Sequence, residues 1–464
     1  MNVDIGSPNK KQDMFLRDHH RHVAFGGARG GGKSWAVRAK LILMATSYPG
    51  IEQMVIRRTY PELQANHIRP LKKLLRVGTP GSPIKYNNSD KLLTFPNGST
   101  IRFGYCATDA DTDRYQGTEV DILYIDEATQ LSEQQIKDLN ACVRGTSDFP
   151  RRTYYTCNPG GKGHGYIKRL FITRQYTESE YPEDYSFIQS LVYDNAVLME
   201  KDPEYVRALE ALPEAKRKAW LEGDWDSFIG QVFNEWTDDP AHYQDRRWTH
   251  VIDDFTVPPT WKIYRGYDHG YSKPYSVGWF ALDHDGILYR IREDYGCTAE
   301  PNTGRQLTVP EIAERIKEIE RTDPNIRGRR VYGIADPAIW GSDTGESIED
   351  MFERAGVYNS RGDHTRIAGL MQFHYRLSFD REGIPMFYCF RSCKQFIRTI
   401  PLLIYDDKHV EDIDTDMEDH IYDETRYVFQ ERPLNPRQNM KHFTERDPLP
   451  PEDPLEIMPA RREN

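Results

Sequence analysis

Long apolar runs are missing from this 464-residue chain, and with them the roughly 20-residue stretch that a membrane-spanning helix needs. Cysteine is scarce: six residues, scattered, with no Cys-x-x-Cys pair, which excludes a disulfide scaffold or a paired-thiolate zinc site. The start, Met1-Asn2-Val3-Asp4-Ile5-Gly6, has neither the basic nor the apolar region of a signal peptide. A soluble intracellular protein with reduced thiols and no membrane partner is expected. Basic excess is absent too. The formal net charge of −11 argues against a uniformly basic coat, but the acids are concentrated: ten Asp or Glu lie between Asp406 and Glu424, against Lys408 alone. Basic residues gather elsewhere, at Arg57-Arg58, Arg69, Lys72-Lys73, Arg76, Arg151-Arg152 and Lys168-Arg169, and a nucleic acid could track those patches. No internal repeat or heptad array stands out.

What is present begins with Gly27-Ala28-Arg29-Gly30-Gly31-Gly32-Lys33-Ser34, between the apolar run Val23-Ala24-Phe25 and the helical pattern from Trp35 to Met44. A strand, a glycine loop ending in Lys-Ser and a helix make a cradle for nucleotide phosphates. The glycines let backbone N–H groups point inward, Lys33 reaches the β- and γ-phosphates, and the Ser34 hydroxyl joins a Mg²⁺ shell. The helix start adds partial positive charge. About ninety residues on, the apolar run Val120 to Ile125 ends in Asp126-Glu127. Asp126 suits Mg²⁺ held through water, and Glu127 suits polarising the attacking water. ATP hydrolysis is the expected chemistry.

Val23–Phe25, Gln53–Arg57, Thr100–Gly104, Ile122–Ile125 and Thr153–Cys157 read as strands alternating with helical stretches, which indicates a mostly parallel α/β sheet. Residues 203–222 read as helical. A less regular stretch follows, and a new pattern starts at Trp261–Asp268, continues through Tyr275–Leu282, turns at Asp283–Gly286 and returns through Ile287–Glu293. A helical run, Val309–Glu320, then precedes a strand at Arg330–Asp336. Three meander strands, a helix and a fourth strand are the order of a ribonuclease H-like core. The expected domains are 1–235, a linker at 236–258, a second domain at 259–431 and a proline- and charge-rich tail at 432–464.

Asp268 and Asp336 each end a predicted strand, and neighbouring strands would bring them together. Acids without histidine or cysteine partners suit Mg²⁺ or Mn²⁺. A third acid could come from the helical run around Asp419 and Asp423, which lie four apart on one face. Like charges at that spacing repel, so a cation nearby would explain them. Two metals so held would activate a water and stabilise the leaving oxygen in phosphodiester cleavage.

With both sites in view, the chain resembles the large terminase subunit of tailed double-stranded DNA bacteriophages over residues 8–430. Pro8 to Phe15 looks like the family's adenine-recognising segment, in which Gln12 would read the base edge. Val55 to Leu63, Tyr115 to Glu119 and Thr156-Cys157-Asn158-Pro159 look like its later ATPase segments. Without the resemblance, Asn158-Pro159-Gly160-Gly161 reads as a turn. The resemblance implies an ASCE-type P-loop ATPase followed by a ribonuclease H-like nuclease, with Asn158 sensing the γ-phosphate. It implies Asp268, Asp336 and Asp419 as nuclease ligands, Asp423 as second choice for the third, and Glu293 as a possible auxiliary. Arg144, Arg114 and Arg29 compete as an arginine finger. The implied function is ATP-driven packaging of double-stranded DNA into a procapsid, in the host cytoplasm and transiently at the portal vertex. Its implied partners are the portal protein, a small terminase subunit and further copies in a ring. The rival reading is a helicase or repair ATPase fused to a DNA-binding but inactive ribonuclease H-like domain.

Overall fold

Strand β1 (His22–Gly27) is buried along nearly its whole length, as a strand covered on both faces must be. The same holds for β2 (Glu52–Arg57), β6 (Ile122–Ile125) and β7 (Arg152–Cys157). With the antiparallel edge pair β3 (Lys85–Asn87) and β4 (Leu92–Thr94), then β5 (Thr100–Tyr105) and β8 (Tyr185–Ser190), they form one sheet in the order β3-β4-β5-β2-β6-β7-β1-β8. Side chains alternate between its faces. Val23, Phe25 and Val55 enter one apolar cluster with Ala36, Val37 and Leu41 of the helix Lys33–Ser47, while Ala24, Met54 and Ile56 enter the other.

The computed structural model describes residues 4–212, 214–226, 230–341, 345–406, 409 and 411–434. These divide into two compact units, one of residues up to Asn234 with Pro401–Glu418, the other of Glu235–Ile400 with the described residues from Asp419 on. Most of the expected tail, residues 435–464, lies outside the described residues. The described part of 401–418, which the sequence pattern ran on with the second domain, packs within the first unit. Gln231 and Ile404 form an antiparallel bridge, the Val232 N–H donates to the Leu403 carbonyl (2.9 Å), and Lys162 holds Asp414 at 2.9 Å.

The second unit has a sheet of β9 (Val251–Ile252), β10 (Lys262–Asp268), β11 (Ser276–Leu282), β12 (Leu288–Tyr295), β13 (Val331–Ala335), β14 (Ser360–Arg361) and β15 (Phe387–Phe390). Its order is β14-β13-β10-β11-β12-β15-β9. β10, β11 and β12 are the antiparallel meander, and β13 returns parallel to β10, with Tyr267 opposite Ala335. The helix Val309–Thr322 makes that crossover. Thr308 and Glu311 form a capping box at its start, with Pro310 in the first turn. β9 falls inside the stretch expected to be a linker, because its two buried apolar residues complete the sheet edge beside β15. The C-terminal helix His420–Glu431 lies against β10 and β11. Among the described residues no helix is long and apolar enough to cross a membrane.

Candidate nucleotide site and acidic cluster

The strand order decides the first site. β7 lies between β1 and β6, so Asn158, just past β7, stands between the loop after β1 and the acids after β6. Lys33 Nζ donates to Asn158 Oδ1 (2.7 Å), and Asn158 Nδ2 donates to Glu127 Oε2 (3.0 Å). Lys33 Nζ also donates to the Ala28 carbonyl. Burial lowers the Lys33 pKa, while Glu127 and Asp126 pull it back up.

The loop is braced from outside. The carbonyls of Gly30, Gly31 and Gly32 accept from Asn195 Nδ2 (2.7 Å), Ser190 Oγ (3.0 Å) and Gln12 Nε2 (3.1 Å). Carbonyls turned outward leave the intervening N–H groups on the inner side, as an anion nest requires. Gly32 sits at φ +81°, and a Cβ on Gly31 would collide with Ser190 Oγ. Gly27, at φ +127°, ends β1, and Ser34 is the second residue of the helix Lys33–Ser47. Ala28 and Arg29 use their N–H groups on the carbonyls of Ser190 (3.2 Å) and Trp220 (2.9 Å).

Gln12 accepts from the Asn9 N–H (2.9 Å) in a capping box while its amide holds Gly32. It keeps one donor and one lone pair for a base.

Asp126 is tied on both oxygens. Thr156 Oγ1 donates to Oδ1 (2.5 Å), while Arg57 Nη1 (2.6 Å) and His67 Nε2 (2.9 Å) meet Oδ2. Burial would raise its carboxyl, but His67, Arg57 and Thr156 together hold it well below the usual range. Three of about four lone-pair positions are used, leaving one on Oδ1 for a water of a Mg²⁺ shell. Glu127 has φ +56°, a left-handed conformation that favours glycine. Its N–H donates to Thr156 Oγ1 (2.9 Å), so one hydroxyl organises both acids.

The sequence pattern missed Arg57, His67 and Thr156 as partners of Asp126; only Arg57 carried a signal, as a charged residue ending a buried strand. Of the arginine candidates, Arg29 stacks over Trp220 at 3.3 Å and braces the loop. Arg114 pairs with Asp111 (2.8 Å) and Arg144 faces Glu119 (3.6 Å), both side chains more than half exposed.

In the second unit, the parallel pairing of β10 and β13 puts Asp268 and Asp336 side by side, and the Asp336 N–H donates to the Tyr267 carbonyl (3.1 Å). Asp336 Oδ1 accepts from the Ala338 N–H (2.9 Å). The C-terminal helix brings the other acids. Asp419 is its N-cap, Asp423 is in the first turn, and His420 Nδ1 lies 3.1 Å from Asp268 Oδ2. Burial, then Asp423, Asp336 and Glu424, raise the Asp268 carboxyl well above its usual range. Burial and Asp423 push Asp419 up to about 8, against the opposing pull of His420. Of the two helix acids, Asp423 is the one whose charge bears most on Asp268.

Among the described residues no three His, Cys, Asp or Glu side chains form a ready-made metal cage. Asp423 is held by Arg426 (2.9 and 3.0 Å). The donor set is nonetheless hard oxygen carrying excess negative charge, which fits Mg²⁺ or Mn²⁺. Glu293 does not join it: its oxygens accept the N–H groups of Gln395 (2.7 Å) and Phe396 (3.2 Å) at a helix start. His420 was overlooked in the sequence, where a histidine inside an acidic run gives no pattern of its own.

Residues 24–236 match a family model described as terminase large subunit, T4likevirus-type, N-terminal. No curated protein matches the chain. Among solved structures, the large terminase of a thermophilic bacteriophage in complex with ADP is similar at 20% identity and a TM-score of 0.40, covering 91% of this chain and 98% of that one. The HK97 bacteriophage large terminase is similar at 11% identity and a TM-score of 0.48, covering 92% and 94%. The P22 large terminase nuclease domain is similar at 16% identity and a TM-score of 0.33, covering 44% of this chain and 93% of that one.

Proposed function

We propose, from the match of residues 24–236 to the N-terminal domain of terminase large subunits, that the chain is an ATP-driven motor that moves double-stranded DNA into a procapsid and cuts concatemeric DNA with its second unit. The observation that carries the reading is the hydrogen-bonded chain from Lys33 through Asn158 to Glu127. In it the group that binds the γ-phosphate, the group that senses it and the group that orients water are coupled side chain to side chain. The loop from Gly27 to Ser34 cradles the phosphates, Gln12 meets the base, and Glu127 positions the attacking water. Mg²⁺ held by Ser34 and, through water, Asp126 would neutralise the phosphate oxygens. Phosphate loss frees Lys33 and Asn158 to pair with each other, which gives the hydrolysis cycle two distinct local states.

In the second unit Asp268, Asp336 and Asp423, with Asp419 beside them, would hold Mg²⁺ or Mn²⁺, which supplies an activated water and neutralises the leaving oxygen. DNA grip is to backbone phosphates, since a packaging motor must accept any sequence. The portal protein, a small terminase subunit and other copies of the chain are the partners this work needs, with Arg144 or Arg114 the exposed choices for a finger into a neighbour's site. The action is in the host cytoplasm, at the portal vertex.

One observation favours a second reading, a DNA translocase with an inactive nuclease fold: Asp268 and Asp423 are engaged by His420 and Arg426. Nicking of supercoiled plasmid with Mn²⁺, wild type beside Asp336→Ala, separates the two. Cutting lost in the variant with ATP hydrolysis retained supports the motor-nuclease; no cutting by either supports the second reading. Phosphate release in the presence of DNA, lost in Lys33→Ala, tests the ATPase itself.

A further inference from the structure

Resting on the nuclease reading above, we infer that Glu424 is a positioning residue for the acidic cluster, keyed into the sheet so that Asp423 and His420 face Asp268. Glu424 follows Asp423 in the C-terminal helix, and its side chain is fully buried. One carboxylate meets three consecutive strands. On β10 and β11, Gly266 and Gly278 are register partners. A Cβ on Gly266 would come within 2.7 Å of Glu424 Oε1, and one on Gly278 would overlap the same oxygen. Two facing glycines thus make the notch that the carboxylate occupies. On β11, Ser276 Oγ donates to Glu424 Oε2 (3.1 Å), and Ser276 is the register partner of Asp268. On β12, Arg290 Nη1 donates to Glu424 Oε2 (2.8 Å) and to Thr425 Oγ1 of the same helix (3.0 Å).

Those contacts fix both the rotation and the height of the helix. A slide of one residue turns it by about 100° and raises it about 1.5 Å, which would lift Glu424 from the notch and move Asp423 off Asp268. A mere stabilising role is a poor explanation, because a buried ion pair is often no better for stability than well-packed apolar side chains of similar size, whereas fixing register is its best-attested use. Arg290 is fully buried as well. It pairs with the Glu424 carboxylate at 2.8 Å.

The test measures Mn²⁺ binding by calorimetry and plasmid cleavage on the full chain. Outer partners of metal ligands typically cost 10–100-fold in affinity when removed. Glu424→Gln is expected to weaken Mn²⁺ binding at least tenfold and lower the cleavage kcat, with KM for DNA and ATP hydrolysis unchanged. The double variant Arg290→Met with Glu424→Met replaces the pair by apolar volume. It is expected to melt within a few degrees of wild type yet bind Mn²⁺ as weakly as the single variant. Wild-type Mn²⁺ affinity and kcat in the double variant would overturn the inference. Should neither fold, Ser276→Ala removes one hydrogen bond and is expected to lower affinity about 2–10-fold; no change there also overturns it. If wild type neither binds Mn²⁺ nor cuts, the nuclease reading itself fails and this inference with it; intact wild-type binding with unaffected variants sinks the inference alone.

Discussion

Thr156→Val removes one hydroxyl and little else, and the two acids of the nucleotide site both depend on that hydroxyl. It donates to Asp126 Oδ1 and accepts from the Glu127 N–H, and Thr156 is buried. Losing a hydrogen bond to a charged group costs about 1.5–3 kcal/mol, and leaving a buried N–H unmet costs about 1–3 kcal/mol. The two losses share one atom and will not add fully, so about 2–4 kcal/mol is expected. Asp126 keeps Arg57 and His67. Glu127 keeps the Gln130 N–H on its carbonyl (2.9 Å) and Asn158 on its carboxylate, but its own N–H loses its partner at φ +56°, a conformation that itself costs about 1–2 kcal/mol. The residue therefore relaxes and its carboxylate leaves Asn158. If about 2–3 kcal/mol of that organisation is lost from the transition state, kcat falls roughly 30–150-fold. Steady-state phosphate release should show that fall, with KM for ATP changed less than about threefold because Lys33 and the loop are untouched. Thr156→Ser, which restores the hydroxyl, should stay close to wild type, and a melting curve of each variant checks that the sheet is intact. Wild-type kcat in Thr156→Val would falsify the claim that this hydroxyl sets Glu127.

Gly31→Ala should abolish nucleotide binding, read by fluorescence of a labelled ATP analogue, because the added Cβ collides with Ser190 Oγ and the loop must open. In the acid series, Asp423→Asn should reduce Mn²⁺-dependent cleavage more than Asp419→Asn, since Asp423 is the largest charge acting on Asp268; the reverse order returns the role to Asp419. Acid sensitivity has a specific source in His250, whose pKa burial lowers to about 4 while its Nδ1 accepts the Thr237 N–H (3.0 Å) and its Nε2 meets the Leu377 carbonyl (2.8 Å). The neutral form is favoured in the fold, so its contribution is complete above the unfolded value near 6.5 and is lost as pH falls toward 4. That amounts to about 3 kcal/mol at most. Urea unfolding at pH 7.5 and 4.5 should show a smaller drop for His250→Gln than for wild type.

The phosphate loop was legible because it is local: glycines, Lys33 and Ser34 are neighbours in the chain, and the flanking apolar runs carry their own period. The same is true of β10, β11, β12 and the helix Val309–Thr322, whose alternation, turn and capping residues lie within a few positions of each other. Strands β8 and β15 went unread. β8 is a half-polar sheet edge, and β15 is a four-residue run with no chemical signal beside it such as the acids that follow β6.

Sequence alone therefore determined the strands and helices with a strong local pattern and the residues at their ends, since those depend on side chains a turn or two apart. Tertiary structure decided what those ends meet. Strand order alone puts Asn158 between Lys33 and Glu127, and the end of β2 and the helical segment Gln64–Ile68 bring Arg57 and His67 to Asp126 from 69 and 59 residues away. It also gave the described part of 401–418 to the first unit, turned Glu293 to a helix start, and set Glu424 in a notch of two glycines. Each of these is a pairing between distant segments, fixed by the burial of whole faces and the register of strands, and no window of neighbouring residues carries that information.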